Sequence, residues 1–196
     1  LVRAYWRALD EGVNSFFNAA TATPILAARH AGLQAYGVNF TSPLPAVPNW
    51  ITARRNFLLT QLATVATNFA VHGPDTVTNA SNLLVLTGSA PVGVQTLTVH
   101  GVAYPVDWTS VTAWRMRIPL PAGVSTLTIE GRNRNGNLVA GASRTLSVTF
   151  AGQDVSPVGV IVINEIMYNP RVPDASFIEL YNTSPTHSFD LTGWRL

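Results

Sequence analysis

The chain has no cysteine and no lysine; its twelve basic residues are all arginine. Without thiols there is no disulfide, no cysteine nucleophile and no thiolate metal site. Without lysine there is no Schiff-base amine, no phosphate-loop lysine and no kinase-type lysine. Charge of either sign is scarce, at 11% of residues where about a quarter is usual. The net charge is only +2, which gives no electrostatic case for nucleic acid, whose binding rests on neutralising many phosphates. Long apolar runs are missing too. The longest, Val158 to Ile163 with Gly159 inside, is far too short to cross a bilayer, so no membrane span is expected. The first residues carry no signal peptide, and targeting information is expected upstream of Leu1. What is present is apolar bulk. At 47% hydrophobic over 196 residues, the chain can bury a core and form one or two domains.

Three regions differ in period. Residues 1–70 read as helical. Leu1, Tyr5 and Leu9 recur at four-residue spacing, with Gly12 as a stop. Thr23-Pro24 reads as an N-cap followed by proline at the first helical position, opening a helix from Ile25 to Tyr36 that Gly37 ends. Ser42 to Pro48 reads as an extended proline-rich connector. Asn49 then caps a helix from Trp50 to about Thr67, with Ile51, Leu58, Leu62 and Val65 on one face and Arg54 and Arg55 on the polar side.

Residues 71–152 alternate at strand length. The runs are 83–87, 95–100, 102–108, 114–120, 125–132 and 144–150, separated by turns at Gly88–Pro91, Pro121–Gly123 and Asn133–Gly136. Trp114, Met116, Leu127, Ile129, Leu146 and Val148 point inward in this phase, as in a β-sandwich. Residues 153–196 follow a short linker, Gln153 to Pro157.

The last region carries three ordered blocks: Ile163-Asn-Glu-Ile-Met-Tyr-Asn-Pro170, Phe177-Ile-Glu-Leu-Tyr-Asn-Thr-Ser184 and Asp190-Leu-Thr-Gly-Trp-Arg-Leu196. Together they resemble the opening of a lamin-tail domain, an immunoglobulin-like sandwich that bacteria append to secreted proteins. Such a sandwich needs about seven strands and about 100 residues, so the segment is expected to be truncated and the chain to be a fragment of a longer protein. Arg3-Ala-Tyr-Trp-Arg-Ala-Leu9, the proline-rich connector and Trp50-Ile-Thr-Ala-Arg-Arg-Asn-Phe-Leu-Leu59 resemble the terminal helices of a CotH-kinase-like domain. In that family an immunoglobulin-like spacer and a lamin-tail domain often follow, the order met here. The family's nucleotide- and metal-binding acidic residues have no counterpart in this chain, so none is carried over. The expected fold is therefore α then all-β: a helical segment (1–70), an immunoglobulin-like β-sandwich (71–152) and a truncated lamin-tail β segment (153–196).

Little in the chain reads as catalytic. Gly136 to Gly141 has phosphate-loop glycine spacing, but Ala142 stands where lysine is required and the context is a hairpin. The four histidines share no ligand spacing. Asp10 and Glu11 sit at a helix end without facing each other. The candidate site residues are Asn164, Glu165, Glu179 and Asn182 of the lamin-tail-like blocks, as register-setting hydrogen-bonding groups or as partner contacts. Trp108 joins them as an exposed aromatic at a strand end that could stack on a sugar. No catalytic, cofactor or metal residue is assigned. The expected role, by resemblance, is a non-catalytic spacer and surface-interaction tail of an extracellular or cell-surface protein. Its partner would be a surface protein or polysaccharide. The alternative is an accessory carbohydrate-binding module of an extracellular enzyme.

Overall fold

A computed structural model describes residues 2–39, 46–191 and 193–195. Three helices come first: α1 (Val2–Asn14), α2 (Ala19–Ala35) and α3 (Ala46–Ala63). Their limits differ from the sequence expectation for local reasons. Helix α1 runs through Gly12, because that glycine is buried beneath Phe16, 3.1 Å from where a Cβ would stand. Its buried side chains are Arg3 and Val13. The expected face was Leu1, Tyr5 and Leu9; Leu1 lies outside the described residues and Tyr5 is exposed.

Helix α2 is capped by Asn18, whose side chain accepts from the Ala20 amide, and not by Thr23. Thr23 instead donates to the Ala19 carbonyl at 2.6 Å, leaving Pro24 inside the helix. The exit matches expectation. Gly37 takes a φ of 79°, and its amide and that of Val38 return to Gln34 and Leu33, a Schellman closure. Helix α3 begins at Ala46, ahead of the expected Asn49 cap, since proline is tolerated in a first turn. The remainder of the proposed connector, residues 42–45, lies outside the described residues.

The β region follows: β1 (Ala70–Val71), β2 (Thr76–Asn79), β3 (Leu83–Ser89), β4 (Thr96–Val99), β5 (Val102–Ala103), β6 (Val106–Trp108), β7 (Ala113–Pro119), β8 (Gly123–Arg132) and β9 (Leu138–Phe150). One sheet has the order β1-β3-β7-β6, the other β2-β9-β8-β4-β5. All pairs are antiparallel except β2 with β9. Leu84, Leu86, Trp114, Met116 and Ile118 of the first sheet meet Leu97, Leu127, Ile129, Leu146 and Val148 of the second in one buried cluster. The period-two alternation on the long strands therefore ends in a sandwich core. Full burial of each such side chain contributes about 1.5–3 kcal/mol.

Two details govern how the layers close. The run 102–108 is split at Tyr104-Pro105, with β5 in one sheet and β6 in the other; proline cannot donate to a ladder, so the chain crosses between layers there. At Gly88 a Cβ would fall 2.1 Å from the Ala70 carbonyl and 2.3 Å from the Trp114 ring. Only glycine lets β1 and the buried indole approach β3 together.

A separate hairpin, β10 (Ile161–Met167) with β11 (Phe177–Asn182), forms a two-stranded sheet that pairs with no other described strand.

Candidate functional site

Four of the five candidate residues lie on the hairpin, and a β-bulge organises them. The ladder pairs Ile163 with Leu180 and then Glu165 with Glu179, so Asn164 is the extra residue. Its side-chain amide donates to Glu179 Oε1 at 2.9 Å. Glu165 lies directly opposite Glu179, and like charges in that position repel. The Asn164 donor is thus aimed at one of two facing carboxylates.

The bulge also decides which side chains share a face. Residues opposite one another point the same way. Ile163 with Leu180 and Ile166 with Ile178 therefore form one apolar face, to which Ile161 also belongs. Were Asn164 paired as a regular ladder residue, Ile166 would turn to the other side. Ile163, Ile166 and Ile178 stay 51%, 56% and 44% exposed, far more than such residues keep in a core. The opposite face carries Val162, Tyr181, Met167 and Phe177 around the two glutamates.

Asn182 sits where the hairpin leaves the ladder. Its side chain accepts from the Ser184 amide at 2.9 Å and donates to the His187 carbonyl at 2.7 Å. That folds residues 183–187 back toward the sandwich. There the buried Asn82 side chain donates to the Ser188 carbonyl at 2.6 Å and accepts from the Ser188 amide at 2.9 Å. The His187 ring meets Phe150 edge-on at 6.3 Å, and Asp154 accepts from the Ala122 amide. The hairpin is therefore tied to the sandwich at its base, while its strands project.

Trp108 is not the exposed platform expected from the sequence. It is half-buried at the edge of the core cluster, and the Arg3 guanidinium lies 3.4 Å from its ring centroid. That guanidinium also donates to the carbonyls of Pro91 at 2.7 Å and Val94 at 2.6 Å, more weakly to Ala90, and to Val111. A single arginine thus staples α1 onto the turn between β3 and β4 and onto the loop entering β7. Burial, followed by the nearby Arg7 charge, lowers its pKa from the ordinary arginine value to about 10, so it stays cationic at neutral pH. Sequence reading missed this joint, because its acceptors are backbone carbonyls that no residue pattern marks.

The remaining carboxylates and histidines do not converge. Among the described residues, no group of three His, Asp or Glu is placed to hold a metal ion, and no helix is long and apolar enough to cross a membrane. The Gly136–Gly141 segment runs from the hairpin turn, with Gly136 at a φ of 78°, into the start of β9. Burial, then the Asp190 carboxylate, raises the Tyr104 phenol above its ordinary pKa.

The family model described as Lamin Tail Domain matches residues 154–196. The match begins at the linker read from the sequence and takes in β10, β11 and the clamped segment after them. It supports an immunoglobulin-like interaction module for this stretch. No curated protein matches the chain.

Proposed function

We propose that the chain is a non-catalytic interaction and spacer segment. In this reading the sandwich is a rigid mount: it carries the helices on one side, through Arg3, and the lamin-tail-like hairpin on the other, through Asn82. The observation that carries the reading is the isoleucine face of β10 and β11. An immunoglobulin-like sandwich buries such a face against a second sheet. Left open, it is a surface for further β structure or for a protein partner. Resemblance of Arg3–Leu9 and Trp50–Leu59 to the last helices of a CotH-kinase-like domain extends the proposal to a secreted bacterial protein acting at the cell surface. Carbohydrate binding has less support, since Trp114 is buried and one face of Trp108 is covered by Arg3.

The test compares the chain with an Ile166→Glu/Ile178→Glu double variant for retention on bacterial cell-envelope material separated into protein and polysaccharide fractions. The proposal expects retention on the protein fraction that the double variant loses. Equal retention of both chains, or retention on polysaccharide alone, refutes it.

A further inference from the structure

Away from the hairpin, α1 and the C-terminal half of α3 leave an open cleft against the sandwich. It has two halves that meet at Asp10, Gly93 and Val139. One half, about 690 Å³, is mixed, with Glu11, Asn14 and the Asn133–Asn135 turn on its polar side and Leu138 and Ala140 on its apolar side. The other, about 430 Å³, is apolar, with Leu59, Leu62, Val65 and Val92 in its wall.

The charges in the cleft are unevenly matched. Glu11 is held by Arg134 at 3.3 Å and Arg7 at 3.8 Å. Asp10, at the junction of the halves, has no cation beside it among the described residues. Its Oδ1 accepts from Asn14 at 3.2 Å. Its Oδ2 lies 3.1 Å from where a Cβ on residue 93 would be, so Gly93 makes room for the carboxylate. Burial, then the adjacent Glu11, raises the Asp10 pKa. The chain holds here a partly desolvated carboxylate that a cation would stabilise.

We propose that this cleft binds an extended peptide segment in which an arginine or lysine, paired with Asp10, lies near an aliphatic side chain seated on Leu59, Leu62 and Val92. Charge complementarity selects the cation. The apolar half selects the neighbour, and alternate side chains of an extended chain recur at about 7 Å, a step suited to two adjoining halves. The Asn135 side-chain amide and the Asn14 and Ser15 side-chain oxygens, whose own N–H and O–H groups are already donated to Asp10 and Glu11, line the cleft for a peptide backbone, which a simple alkylamine would leave unused. The proposal is independent of the hairpin reading, because the cleft lies on α1, α3 and the β8–β9 turn.

The experiment is an NMR titration of the whole chain with the acetylated, amidated pentapeptide Ala-Arg-Ala-Leu-Ala, whose arginine and leucine are alternate residues. Matched peptides carry citrulline for arginine or alanine for leucine. Saturable shifts at Gly93, Leu62 and Val139 are expected, with at least tenfold weaker binding of either matched peptide. Asp10→Asn should weaken binding about tenfold, as loss of a charged hydrogen bond does, whereas Glu179→Gln should not change it. Absence of saturation at millimolar peptide overturns the proposal, as does equal binding by Asp10→Asn. Hexylammonium binding as tightly as the peptide would assign the cleft to small amines. Self-association that Asp10→Asn abolishes would assign it to a second copy of the chain. Either result also overturns the peptide.

Discussion

Replacing Arg3 by methionine keeps a long apolar stem and removes the guanidinium. Three carbonyls, those of Pro91, Val94 and Val111, lose a close charged donor, and the Ala90 carbonyl loses a weak one at 3.5 Å. Charged hydrogen bonds contribute about 1.5–3 kcal/mol each, so the three close ones amount to about 6 kcal/mol before costs. The lowered pKa of about 10 shows that burial, with the nearby Arg7 charge, takes part of this back. The net contribution is about 3 kcal/mol, the low end of the range found when one partner of a buried charged pair is removed. It is concentrated in one place: the opening of α1 from the sandwich. Native-state amide exchange should show the α1 amides about a hundredfold less protected in Arg3→Met, with the β7, β8 and β9 amides unchanged. Trp108 emission should shift to the red as its ring meets water. Arg3→Lys should fall between, since an ammonium cannot lie flat on the indole while reaching three carbonyls. A loss of protection under about threefold, or one spread evenly over the sandwich, would refute the staple.

Trp114→Ala should cost about 3–5 kcal/mol in a denaturant titration, because a side chain only 1% exposed leaves a large cavity; a cost near zero would place the indole on the surface. Asn82→Ala should cost about 1–3 kcal/mol and release the segment around Ser188, seen as faster exchange of the Ser188 amide; unchanged exchange there would show that the clamp is dispensable. The Asp10 prediction concerns pH. An acid whose folded pKa is raised binds its proton more tightly when folded, so its contribution is most favourable below the ordinary value of 3.8 and declines as pH rises through the higher folded value. Urea midpoints should therefore fall less for Asp10→Asn than for the native chain between that pH and neutrality, and parallel curves would show that Asp10 is not desolvated.

Much of the sandwich was legible because its strands alternate. Leu127 with Ile129 and Leu146 with Val148 each skip one residue, and all four are buried. The order of helices before strands was legible for the same reason. Short elements were not. The strands β1, β2 and β5 have two, four and two residues, too few to establish a period. They are nonetheless edges of the two sheets, where brevity limits pairing with other chains. The start of α2 was misplaced because Asn18 and Thr23 are both acceptable caps, and Thr23 is satisfied equally well by bonding back to Ala19.

The candidate site divides along the same line. Asn164, Glu165, Glu179 and Asn182 were visible as polar residues interrupting strand patterns, and the structure places all four on one hairpin. What spacing could not show was the bulge, because an extra residue is defined only by the partner strand. Its consequence is large: Ile163 and Ile166 are three apart, which in a regular strand puts them on opposite faces, yet they share one. Arg3 was hidden more deeply. Its acceptors lie 87 to 108 residues away and are backbone atoms, so no composition or periodicity at either end could mark the contact. Together these two features set the geometry of the molecule. One arginine fixes the helices, and so creates the cleft beside Asp10; one bulged asparagine lets Ile163 and Ile166, three apart in the chain, share a face. Deleting Asn164 would remove the bulge and leave Ile163 and Ile166 two apart, still on one face; forcing Asn164 into the ladder as a regular residue is what would turn Ile166 toward the two glutamates.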